Sequence, residues 1–138
     1  MTLRNLDRPM TVREHLRHGS LPPHLGSKVS VRMQWSQGAD IASANDLTLG
    51  YDGNTFAITG TTQINRIVNT GWQNGSITIL HFTSTPLVKD GQASSGSAII
   101  IQLAGGGDFQ AAAGDNLMVQ LREIGGTQEW VEVSRTVV

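Results

Sequence analysis

From Val29 onward the chain alternates between apolar and polar positions. Val29, Val31 and Met33 are interleaved with Ser30, Arg32 and Gln34 before Trp35 and the turn-rich stretch Ser36 to Asp40, and this period of two predicts a half-buried strand. Leu47-Thr48-Leu49 forms the next short run, and it ends in Gly50-Tyr51-Asp52-Gly53-Asn54, whose Asp-Gly step predicts a hairpin turn. Thr55 to Thr59 and Gln63 to Val68 continue the series. A second hairpin signal, Asn74-Gly75, separates Gly71-Trp72 from the strand candidate Ser76 to Phe82. There, His81 falls on the face of Ile77 and Ile79, which predicts a buried or interfacial imidazole bonded to a backbone carbonyl. Ser97 to Leu103 is mostly apolar, so the core or another subunit should cover both of its faces, and Gly105-Gly106-Gly107 breaks the run. Further on, Leu117, Val119 and Leu121 face one way and Gln120 and Arg122 the other, before Gly125-Gly126 leads into Glu129 to Ser134. Strand signals roughly every ten residues, with little helix between them, predict an all-β domain: a small antiparallel sandwich, barrel or prism.

The first 28 residues follow different rules. Thr11-Val12-Arg13-Glu14 fits a capping box, and Gly19 supplies a stop, so the helix between them has only about two turns. Pro22-Pro23 then fixes an extended path that cannot pair as a central strand. Residues 1–28 are therefore expected to form an extended N-terminal arm with one short helix, followed by a β domain over 29–138.

Charge sharpens this division. Residues 1–32 carry Arg4, Arg8, Arg13, Arg17, Lys28 and Arg32 against Asp7 and Glu14, about +4, which leaves about −5 for the remainder of a chain whose formal net charge is −1. A basic head on an acidic body suggests an arm that docks on an acidic surface. The chain has 138 residues, enough for one core, and its 16 glycines with only 15% charged residues suit a turn-rich sheet protein. The absence of cysteine excludes thiol nucleophiles, disulfide scaffolds and Cys-based metal sites. With aromatics at 5%, the core must be mostly aliphatic, and a domain this lean gains from a partner that buries more surface. Met1 to Arg17 lacks the apolar run of a signal peptide, and no stretch is apolar enough to span a bilayer, so the sequence reads as a soluble product made inside the cell, with no membrane partner.

No catalytic or cofactor constellation stands out. His15, His18 and His24 are spaced for a transition metal, but no acidic residue completes the set, and contacts with a neighbour explain them better. A triad of His81 with Asp108 or Asp115 lacks a nucleophile elbow, and Gly105-Gly106-Gly107 lacks the Lys and the following helix of a phosphate loop. Glu129 and Glu132 fall on opposite faces of a strand. The arm has no interleaved aromatics, which argues against nucleic acid as a partner. Trp35, Trp72 and Trp130 could in principle form a sugar platform, but a core this lean has more use for them as packing.

Several ordered motifs carry a resemblance: Ile58 to Ile64, Gly71 to Phe82, Ile101 to Phe109, Ala113 to Leu117 and Glu129 to Arg135. Together, over roughly residues 55–135, they resemble a β domain recurrent in tailed-bacteriophage virion proteins, found in tail fibres and spikes and in head-fibre and capsid-decoration proteins, commonly as a homotrimer. The resemblance implies a non-enzymatic virion building block. The chain has no fibrous repeat to build a long shaft, so a compact trimer on the capsid surface suits it better. The expectation is a homotrimeric capsid decoration, or cement, protein that binds the major capsid protein through Arg4, Arg8, Arg13, Arg17 and Lys28. Trp72, Ile99, Ile100, Ile101, Leu103 and Trp130 are expected in the core or the trimer contact. The alternative is a tail-fibre module that recognises host surface glycans.

Overall fold

In the computed structural model, residues 35–138 are described. The predicted arm, its helix and the strand expected at Val29 to Met33 lie outside the described residues.

The described residues are all-β, as the alternation predicts. Ten strands follow in chain order: β1 (Ile41–Ala42), β2 (Asp46–Leu47), β3 (Thr55–Thr59), β4 (Arg66–Val68), β5 (Ile77–Phe82), β6 (Leu87–Val88), β7 (Ala98–Gln102), β8 (Phe109–Gln110), β9 (Asn116–Ile124) and β10 (Thr127–Thr136). Eight of them form one sheet in the order β1-β3-β5-β9-β10-β7-β4-β2, and β6 pairs with β8 in a small second sheet.

The connection between β1 and β2 dictates the shape of the large sheet. These strands lie at its two opposite edges, which in a flat eight-stranded sheet would be about 34 Å apart at the usual strand spacing. Ala42 and Asp46 are four residues apart in sequence, and an extended chain of that length reaches only about 14 Å. The sheet must therefore curl, and it forms a half-barrel. The link is fastened on both sides. Ser43 donates its backbone N–H to the Thr59 carbonyl and accepts the Thr62 N–H on its hydroxyl, while the Asn45 carbonyl accepts the N–H groups of Asn65 and Arg66. Two-residue edge strands also leave little open ladder for unwanted pairing.

Pairing in the sheet is mixed. β5·β9, β9·β10 and β4·β7 are antiparallel, whereas β1·β3, β3·β5, β10·β7 and β2·β4 are parallel. The β9–β10 hairpin is the longest pairing, and it turns on Gly125-Gly126 with φ values of 59° and 84°, the left-handed conformation that a two-residue turn of this kind requires at both positions. Asp52-Gly53 does not close a hairpin, because the strands on either side of it, β2 and β3, lie far apart in the sheet order. The glycine is needed there for a close crossing of backbones: a Cβ on Gly53 would collide with the main chain of Ser36 and Gly38. Asn74-Gly75 does turn, with Ser76 N–H bonded to the Gln73 carbonyl at 2.9 Å, but Gly71-Trp72 is not a strand, so the turn only introduces β5.

The concave face is the core. Leu117, Val119 and Leu121 of β9 are fully buried, as their alternation predicts, together with Phe56, Ile58, Ile67, Leu80, Phe82, Ile101 and Trp130. The few aromatic rings are grouped. Trp72 stands edge-on between Phe56 and Trp130, with centroids 6.4 and 5.8 Å away, and Phe82 meets Phe109 at 6.0 Å. Such edge-to-face pairs each add about 1 kcal/mol beyond area burial, which helps an aliphatic core with few rings.

One buried group departs from this economy. Among the described residues, Thr78 Oγ1 is a buried side-chain oxygen with no hydrogen-bond partner. Thr78→Val keeps the shape and removes the unmet hydroxyl, so it is expected to stabilise the fold by about 1 kcal/mol. A raised urea midpoint with an unchanged slope is the expected result; a lowered midpoint would show that the hydroxyl is satisfied by buried water.

Candidate interaction surface

The convex face of β5, β9 and β10 carries aliphatic side chains that the protomer leaves only partly covered. The pairing register aligns them in rows: Ile77, Gln120 and Val131; then Ile79, Met118 and Ser134; then His81, Asn116 and Thr136. Ile77, Ile79, Met118 and Val131 are half-buried. At a bulge between Glu132 and Ser134, Val133 is thrust outward and is 46% exposed.

Where this face meets β3 there is an open groove of about 410 Å³ lined by Gln37, Thr55, Phe56, Ala57, Ile79, His81 and Asn116. His81 is exposed, so of the buried or interfacial placement expected the buried one does not hold; its Nδ1 lies 2.8 Å from Asn116 Oδ1 and not against a backbone carbonyl. The reason is that both alternating sets of β5 are rich in apolar residues, and the set with Leu80 and Phe82 takes the inside. Because Asn116 Nδ2 donates to the Gly114 carbonyl, its Oδ1 faces the ring, so Nδ1 carries the proton and Nε2 is left as an acceptor in the neutral imidazole.

His81 makes no hydrogen bond to Asp108 or Asp115. Asp115 is buried and accepts the N–H groups of Ala112 and Val138, which pins the last residue of the chain. Asp108 accepts the Asp90 N–H and Lys89 Nζ, each at 2.9 Å, and these contacts, the Asp90 amide first, hold its carboxyl below the usual range. Among the described residues, no three acidic or histidine side chains come together as a metal site, and no helix is long and apolar enough to cross a membrane.

Among the described residues the most enclosed ion pair lies within β10, and a backbone amide ties it to the loop after β7. Arg135 grips Glu132 through two hydrogen bonds of 2.6 and 2.7 Å, Ala104 N–H donates to the same carboxylate at 2.9 Å, and the guanidinium lies 4.3 Å from the centre of the Phe109 ring. The Glu132 side chain is 4% exposed. The Arg135 hydrogen bonds hold its carboxyl below its ordinary value of 4.5, with the Ala104 amide adding to the effect and burial opposing it. The stabilisation from this depressed value is complete above the ordinary carboxylate pKa and is lost as pH falls through the lower folded-state value. Glu132→Gln is therefore expected to cost about 2 kcal/mol at neutral pH and to flatten the acid limb of the stability profile. Urea unfolding of both proteins between neutral and acid pH checks this, and parallel acid limbs would contradict it.

The residues singled out by sequence divide sharply. Arg4, Arg8, Arg13, Arg17 and Lys28 lie outside the described residues, as do His15, His18 and His24. Ile101 and Trp130 are fully buried, Ile99 and Leu103 are each 6% exposed, and only Trp72 and Ile100 keep accessible surface. The three tryptophans do not form a common platform: Trp35 is exposed, Trp72 is edge-packed and half-buried, and Trp130 is enclosed with its indole N–H on the Ile67 carbonyl. The convex stripe was not singled out from the sequence, although the apolar positions Ile77 and Ile79 belong to a recognisable alternation. No protein-family model, curated protein or solved structure matches the chain.

Proposed function

We propose that this chain is a bacteriophage virion structural protein, a homotrimeric capsid decoration protein that binds and stabilises the outer head surface. The observation that carries this reading is the pairing of two unlike adhesive features in one small chain. The half-exposed aliphatic stripe of Ile77, Ile79, Met118, Val131 and Val133 suits a contact between copies, and the basic head of residues 1–32 suits an acidic partner. The ordered motifs between residues 55 and 135, with their likeness to phage virion β domains, support the choice of particle.

In this reading Arg4, Arg8, Arg13, Arg17 and Lys28 pair with acidic groups of the major capsid protein. A trimer presents three such arms to neighbouring capsomers, so weak contacts add through effective concentration. The role needs no cofactor, catalytic group, nucleic acid or membrane. Against a tail-fibre module, the enclosure of Trp130 and edge-packing of Trp72 remove two of the three indoles available for a glycan platform.

Titration of purified protein onto undecorated heads tests the proposal. Saturable binding at about three chains per site is expected. Binding to host cells instead, abolished by Trp35→Ala, would assign the protein to the tail.

A further inference from the structure

We infer that the end of the β9–β10 hairpin is a knob that seats in the groove beside β3 and β5 of a second copy of this chain. This deepens the contact between copies proposed above and does not depend on the capsid role. The pairing of β9 with β5 ends at Gln120, and that of β10 with β7 begins at Trp130. The residues between them continue as a two-stranded ribbon, with no third strand in register among the described residues. Arg122 to Thr127 are all exposed. Ile124 is 54% exposed although it sits on a paired strand, opposite Thr127 at the ribbon's end. The Gly125-Gly126 turn adds no side chain around it, and in a two-residue turn the N–H groups of both central residues stay outside the ladder.

The groove supplies a matching hole. It holds about 410 Å³, and Phe56, Ala57 and Ile79 give it apolar walls. Among the described residues, no carboxylate, ammonium or guanidinium side chain lines it. His81 also lines it and is exposed, with Nε2 left as an acceptor for a backbone N–H such as those of the glycine turn. The two surfaces match in charge as well. Ile124 to Thr127 is uncharged, and behind it Arg122 and Glu129 are register partners of opposite sign. Tip and groove therefore meet without like-charge repulsion, although residues 29–138 carry about −4.

One copy cannot join its own tip to its own groove. By alternation Ile124 shares the face of Met118 and Gln120, and Met118 is the register partner of the groove's Ile79. The extended strand from Met118 to Ile124 holds the tip about 20 Å from that level. The tip must therefore reach into another molecule. Because the two patches differ and lie apart on each chain, the contact is heterologous: every copy offers one tip and one groove, and successive copies form a ring where the rotation closes.

Sedimentation velocity of the full-length protein tests this. The parent is expected to self-associate. Ile124→Glu brings a carboxylate to an uncharged groove, and His81→Glu places one inside it. Each should raise the association midpoint by about tenfold or more, with melting temperatures near the parent's because both sites are exposed. Ile124→Val should associate like the parent. Mixing the two glutamate variants in equal amounts is the sharper measurement. One keeps an intact groove and the other an intact tip, so the mixture should form dimers held by a single junction at concentrations where each alone is monomeric. A parent that stays monomeric would overturn the inference together with the contact between copies. A parent that assembles but is indifferent to Ile124→Glu, or a mixture no more associated than its components, would overturn the inference alone.

Discussion

Trp130→Ala is expected to cost about 4 kcal/mol of folding stability, enough to leave a domain of this size marginal or unfolded. The residue is fully enclosed, and three things depend on it. Its register partners, Leu121 on β9 and Ile101 on β7, are themselves fully buried, so the lost ring opens a cavity at the centre of the sheet. Its indole N–H, 3.1 Å from the Ile67 carbonyl, ties β10 to β4 across β7. Its edge-on contact with Trp72 supports the turn that leads into β5. Trp35→Ala serves as the control, since its ring is 52% exposed and should change stability by no more than about 0.5 kcal/mol. Urea unfolding followed by circular dichroism measures both, and a cost below about 1 kcal/mol at Trp130 would contradict the packing described above.

Removal of residues 1–28 should have the largest effect on binding. The deletion takes away Arg4, Arg8, Arg13, Arg17 and Lys28, together with Asp7 and Glu14, and leaves a body that carries about −4. Such a body repels an acidic capsid surface. Three arms acting together can raise apparent affinity by about a hundredfold to ten-thousandfold over one, so their joint loss should abolish retention on heads. The truncated protein should stay soluble, because residues 47–130 already supply a continuous buried cluster. Binding of the intact protein should also weaken steeply with added salt, as exposed charge pairs are screened over about 8 Å at physiological ionic strength. Truncated protein that bound heads as tightly as the intact chain would remove the arm from the account.

Much of the fold was legible in local pattern. Thr55 to Thr59 is a strand with the predicted bounds, and Leu117, Val119 and Leu121 point inward as their spacing requires. Pairing was not legible, because a strand's partner is fixed by contacts remote in sequence. Nothing between Leu47 and Thr55 reveals that β2 and β3 lie in different halves of a curled sheet, or that Gly53 serves a backbone crossing rather than a hairpin. Facing was ambiguous where both alternating sets are apolar. In β5, Ile77 and Ile79 compete with Leu80 and Phe82 for the inside, and placing the first set outward exposed His81 and created the aliphatic stripe.

The central claim is that the protein works on the outside of a phage head. Direct imaging of intact particles beside particles lacking this protein measures that most simply. The account predicts extra density of about three chains over local three-fold positions of the head, absent from the deletion particle and unchanged elsewhere. Density lost from the tail with the head surface intact would contradict it.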